Sequence, residues 1–241
     1  MAGKLVGIGL GPGNGDMLTG VGKTTLNSAD RIITPVAKKE ADSRVEKCCP
    51  PEISNNNKFS KMVFPMSKSK KIMAEAWQNN AAEIENYLKK DEDVAFLTLG
   101  EPSLYSTFYY LKPYLKADYE IEVIPGISCW QYLSSKLKIP LTAGEESLAI
   151  LPKWPAEEKV DFLLNNFTSI VVFKAGPDFN FWQQKLRQEK LLANSYLACN
   201  LGFPEEKIYS DLEQLNLKAL ELPYLTLLLI VNKRRKRGYQ R

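Results

Sequence analysis

The chain of 241 residues contains no histidine. That absence removes Ser-His and Cys-His nucleophilic catalysis, histidine zinc sites, and histidine ligation of a haem or cobalt ion. Acid–base work is left to carboxylates, tyrosine, lysine, cysteine or water. Cysteine is scarce, with Cys48, Cys49, Cys129 and Cys199 and no C-x-x-C pair among them. The adjacent Cys48 and Cys49 make a poor metal clamp, so free thiols in a reducing compartment are expected and no metal site is. No run of roughly 18 apolar residues occurs, which argues against a membrane span. The start of the chain lacks the basic-then-apolar layout of a signal peptide, and a cytoplasmic protein is expected. Phosphate loops are missing too. A dinucleotide pattern starting at Gly7 would need glycine at position 12, where Pro12 stands. Gly22-Lys23-Thr24 lacks the glycine that a Walker A motif requires at position 17, which is Met17.

Positive charge is unevenly spread. The net charge is +4, with 32 basic and 28 acidic residues. Lys233 to Arg237 plus Arg241 hold six of the basic ones, so the body is 26 against 28, or −2. The body is therefore no nucleic-acid surface, and the tail 233–241 reads as a soluble end.

What is present is a run of strand–turn–helix corners. Val94 to Leu99 is an apolar strand that ends on Gly100, Glu101 and Pro102, followed by a helical pattern from Leu104 to Leu115. About 25 residues later Ile121–Ile124 is a short strand, Pro125 to Ser128 a turn, and Cys129 a helix start. In open parallel sheets ligands sit beyond the carboxyl ends of the strands. Taken alone, the pattern admits two ordinary βα turns as readily as one binding cleft. Lys4 to Gly9 forms an earlier strand ending in a glycine-rich turn, and Asp16 is the expected N-cap of the helix through Leu26. The polar stretch 35–57 is expected to hold a loop over a site. Strands are expected at 30–34, 61–64, 147–151, 169–174, 195–199, 206–209 and 225–231, and helices at 67–90, 157–165 and 178–189. Strands crowd together toward the end, which predicts a mixed second sheet. The fold class is α/β with two lobes, 1–117 and 118–241.

Four motifs carry a family resemblance. Gly7-Ile-Gly-Leu-Gly-Pro-Gly13, Gly100-Glu-Pro-Ser-Leu-Tyr105, Ile124-Pro-Gly-Ile-Ser128 and Ile139-Pro-Leu141 follow in the order and spacing of the tetrapyrrole methylases. Thr98 to Leu111, with Gly144 to Pro152, most resembles the methylases that act on the C-20 carbon of precorrin-2 or of cobalt-factor II. Glu101 and Glu145 stand where aspartate is usual in that family.

The resemblance implies a cleft between two lobes, the first on the substrate side and the second completing the cofactor site. It implies S-adenosylmethionine as methyl donor, no protein-bound metal, a tetrapyrrole substrate and a homodimer. Carried over by position, the cofactor contacts are Pro12, Leu99, Gly100, Glu101, Leu104 (at a helix start), Ser128, Cys129, Lys174, Asn200, Leu201, Tyr224, Leu225 and Thr226. Glu101, Tyr105 and Glu145 are candidate bases for the departing proton, with Glu101 read first as a structural acceptor. Tyr105, Tyr109 and Tyr110 read as wall residues. Lys38, Lys39 and Lys153 are candidates for binding substrate carboxylates. The alternative is a methylase of the same fold acting on another corrin carbon.

Overall fold

The computed structural model describes residues 2–13, 15–39, 43–50, 53, 58–116, 118–177, 179–215 and 221–232. The basic tail 233–241, part of the 35–57 loop and Asp178 lie outside them. The chain forms two compact units, Met1–Ser128 and Cys129–Arg241, dividing beyond the expected position after residue 117.

The first unit is built on a parallel sheet. Its strands are β1 (Leu5–Gly9), β2 (Arg31–Val36), β3 (Phe59–Val63), β4 (Val94–Thr98) and β5 (Ile121–Ile124), in the order β3-β2-β4-β1-β5. β1 and β4 are central and buried along their whole length, as continuous apolar runs in a doubly covered parallel sheet must be. β5 pairs with β1, Leu5 opposite Ile121, and this pairing carries it into the first unit. Helix α1 (Gly20–Ser28) follows β1. Its N-cap is Thr19, whose Oγ1 accepts from the Gly22 amide at 3.1 Å, and not Asp16, which sits in a separate 3-10 turn at Gly15–Met17. Helix α2 (Lys70–Leu88) is capped by Ser69 and buries Ala81, Ile84 and Leu88, a stripe at three- and four-residue spacing, in one cluster with Phe96 and Phe108, while the buried Glu85 accepts from Lys116 N.

The second unit holds β6 (Leu148–Leu151), β7 (Ser169–Phe173), β8 (Ser195–Cys199), β9 (Lys207–Tyr209) and β10 (Thr226–Val231), in the order β6-β7-β10-β8-β9. Only β6 and β7 run parallel, so the sheet is mixed as expected. The short helix α3 (Phe108–Leu111) belongs to the first unit, and α4 (Cys129–Leu137), α5 (Val160–Asn166) and α6 (Phe179–Gln188) to the second. Leu133 of α4 packs with Val171, Leu227 and Leu229 on one face of the sheet. Leu164 of α5 and Trp182 and Leu186 of α6 pack with Ile170, Val172 and Leu228 on the other. Among the described residues no helix is long and apolar enough to cross a membrane.

Candidate functional site

The carboxyl ends of β1, β4 and β5 converge on three glycines. A Cβ on Gly9 would lie 2.6 Å from both the Gly100 carbonyl oxygen and the Gly126 amide nitrogen. One on Gly126 would run into the same Gly100 oxygen. Only bare backbone fits there. The loops are also laced together: Leu10 N donates to Thr98 O at 2.9 Å, and Gly100 N to Gly11 O at 2.7 Å. Gly100 differs from its neighbours. It has φ +76, and a Cβ there would meet nothing within 4 Å. Its glycine serves the backbone turn and leaves open space beside it.

Glu101 ties two corners together. Its Oε1 accepts from Ser103 N and its Oε2 from Gly126 N, both at 2.9 Å. Burial works to raise this carboxyl, but the Ser103 hydroxyl and the amides of Ser103 and Gly126 outweigh it and hold the group below the ordinary value. The loop closes where Thr98 Oγ1 and Ser106 Oγ lie 2.9 Å apart, and Ser106 Oγ accepts from Phe108 N. The helix expected from Leu104 starts instead at Phe108. Tyr105 adopts φ +54, which ends any helical run through it, so Leu104 sits in the turn and not at a helix start.

Of the remaining candidate bases, Tyr105 is half exposed and burial of its phenol raises its pKa, while Glu145 is exposed in a turn beside Gly144. Pro12 is buried between Gly11 and Gly13, and Leu99 is half-buried at the end of β4. Tyr109 and Tyr110 are half exposed, with Tyr110 stacked on Trp77 at 5.1 Å. Lys38 and Lys39 are exposed after β2. The described part of the 35–57 loop packs near Gly15, where a Cβ would meet Cys48 O at 3.1 Å.

The other expected contacts gather at one end of the second unit's sheet. Ala175 N donates to Thr226 O at 3.0 Å and Asn200 N to Leu225 O at 2.9 Å. This pairing brings the turns at Lys174 and at Asn200–Leu201 beside the entry to β10. Lys174 Nζ lies 5.2 Å over the Tyr224 ring. Both Lys174 (φ +52) and Asn200 (φ +49) are left-handed.

Ser128 is buried just before α4, and Cys129 opens that helix. Burial pushes the Cys129 thiol up to about 12, and likewise those of Cys48 and Cys49. At pH 8 each is thiolate to roughly one part in 10⁴. Iodoacetamide at pH 8 is therefore expected to leave all three unmodified in the native protein and to label them after denaturation. Rapid native labelling of Cys129, read by peptide mass spectrometry, would contradict this placement.

The family model for tetrapyrrole (corrin/porphyrin) methylases matches residues 4–216. The chain belongs to that family. It is 35% identical over 172 residues to a probable cobalt-precorrin-2 C(20)-methyltransferase of Methanocaldococcus jannaschii, covering 71% of this chain and 72% of that one. It is 26% identical to the cobalt-precorrin-2 C(20)-methyltransferase of Salmonella typhimurium, over 95% and 97% of the two chains. In fold this methylase resembles the uroporphyrin-III C-methyltransferase of Thermus thermophilus complexed with S-adenyl homocysteine. The TM-score is 0.60 at 16% identity, over 95% of this chain and 97% of that one.

The family motifs point to Gly100 and Glu101 as contacts but do not single out Gly9 and Gly126 as their packing partners. The glycine spacing carried that signal. The motifs also pass over the Thr98–Ser106 hydroxyl pair, for which only Ser-Leu-Tyr-Ser gives a hint.

Proposed function

We propose that this methylase transfers a methyl group from S-adenosylmethionine to the C-20 meso carbon of precorrin-2 or its cobalt complex. What carries the reading is the likeness, over most of both chains, to relatives bearing C(20)-methyltransferase names. The open space beside Gly100, next to the Gly9–Gly126 backbone contact, fits a donor held by main-chain groups and small residues. S-adenosylmethionine brings an already activated methyl sulfonium, so the protein's task is alignment at about 3–3.5 Å and exclusion of water.

Pro12, Leu99 and Gly100 supply a rigid wall for that alignment. Glu101 serves as the clamp between two turns and not as the base, because both its oxygens are engaged and its carboxyl is held acidic. Tyr105, with its phenol raised, stays protonated at neutral pH. The meso proton accordingly passes to Glu145 or to solvent. A homodimer and a cytoplasmic setting belong to the same reading.

The test is anaerobic incubation of the pure protein with methyl-labelled S-adenosylmethionine and either precorrin-2 or its cobalt complex, with carbon NMR locating the label. Label at C-20 is expected, and the preferred substrate identifies the metal-free or cobalt route. Label at another carbon would overturn the C-20 assignment, and no transfer to either tetrapyrrole would overturn the reading altogether.

A further inference from the structure

The turn that follows β4 is closed in two places. Glu101 ties it to the Gly126 corner. Thr98 and Ser106, the residues on either side of it, close it a second time with hydroxyls 2.9 Å apart. Each hydroxyl stands on fixed backbone. Thr98 is the buried last residue of β4, and its carbonyl accepts from Leu10 N at 2.9 Å. Ser106 Oγ also accepts from Phe108 N at 3.1 Å, at the start of α3. The pair therefore pins the loop 99–105 between the end of a central strand and the start of a helix.

Most of that loop holds its shape by other bonds. Gly100 exchanges backbone hydrogen bonds with Gly11, and Leu104 N donates to Glu101 O at 3.2 Å. Tyr105 is the exception. It takes φ +54, a conformation that sterics make costly for a bulky side chain. Three other non-glycine residues in that conformation, Asp91, Lys138 and Lys190, come just after helices, where a left-handed residue is common. Tyr105 instead comes ahead of one, and there the chain turns back so that Ser106 meets Thr98. Such strain persists where surrounding contacts over-determine it, and it gathers at functional sites.

The loop so held contains Gly100, with its open space, and Glu101, whose carboxylate reaches Gly126. We propose that Ser106 is a positioning residue for methyl transfer. Through its bond to Thr98 it keeps the strained loop 99–105 in the shape that presents Gly100 to the donor. Ser106 acts through the loop and not on the reacting atoms. Methyl transfer depends on alignment, so a small shift of this loop costs rate as well as affinity. The inference rests on the placement of S-adenosylmethionine beside Gly100.

The test is titration of the full chain with S-adenosylhomocysteine, well below each variant's melting temperature, with steady-state kinetics beside it. Ser106→Ala is expected to weaken binding about tenfold, and Thr98→Val to do the same. The double variant is expected to be no weaker than either single one, since the same bond is lost once. Ser106→Thr keeps the hydroxyl and is expected to restore most of the affinity. In turnover Ser106→Ala raises the KM for S-adenosylmethionine and lowers kcat. Adding Tyr105→Gly to Ser106→Ala is expected to recover part of the lost affinity, because glycine takes the left-handed turn without strain. A pair that serves stability alone would lower Tm and leave the affinity of the folded protein at the parental value. That result in both Ser106→Ala and Thr98→Val would overturn the proposal, as would a Ser106→Thr protein as weak as Ser106→Ala. The donor placement fails separately. Weakened binding in Gly100→Ala beside parental binding in Ser106→Ala sinks this inference and keeps the donor beside Gly100. Parental binding in Gly100→Ala beside a tenfold loss in Ser106→Ala does the reverse.

Discussion

Gly126→Ala is expected to cost the first unit about 3 kcal/mol or more, since the added methyl meets backbone that cannot swing aside. In a chain of this size that is a fall in Tm of roughly 6–12 °C. Gly100→Ala is the contrasting variant. Its Cβ enters open space, so the cost is the left-handed backbone alone, about 1–2 kcal/mol. Yet the same methyl enters the open space proposed for the donor, and S-adenosylhomocysteine affinity is expected to drop by about tenfold or more. Thermal melts and titration calorimetry separate the two. A Gly126→Ala protein that melts like the parent would refute the three-glycine junction. A Gly100→Ala protein with parental affinity would move the cofactor elsewhere.

Glu101→Gln is expected to destabilise the protein by about 2–3 kcal/mol near neutral pH. The amide keeps one acceptor and turns an N–H toward one of the two backbone amides that the carboxylate now satisfies. The pH dependence has a definite sign. The folded carboxyl is held below its ordinary 4.5, so its stabilisation is complete above that value and is lost as pH falls through the lower folded one. The difference between parent and variant should be flat from about pH 5 to 8 and shrink below about 4.5. Denaturant melts across that range check this. Kinetically, a clamp predicts that lost activity follows lost cofactor affinity, with the pH–rate profile unchanged in shape. A loss of about 10³ in kcat, with stability and affinity intact, would make Glu101 the base instead.

The strands were readable because each is a short apolar run bounded by glycine, proline or polar residues. Even the mixed character of the second sheet could be read, from the close succession of its strands. The turn at 102–107 was hidden because Tyr105 takes a left-handed conformation that glycine usually announces. Asp16 and Thr19 are both good caps three residues apart, and only the Gly22 amide shows which one acts. That β5 joins β1, through a pairing over 116 residues, is invisible to local pattern. At the site, motif residues and their clustering were legible. The clamp formed by Glu101 was not, because it depends on groups that meet only in three dimensions.

The strand order of the first unit bears on how the protein is made. β1 is synthesised well before its two partners, β4 and β5, which begin only at Val94 and Ile121. At about 5–20 residues per second a ribosome needs roughly 6–24 s to go from one end of that pairing to the other. Until β4 is made, Leu5-Val-Gly-Ile-Gly9 is an apolar segment with neither of its strand partners. The nascent chain is thus a client for holding chaperones until β4 emerges, and a stall before residue 94 would leave an aggregation-prone fragment.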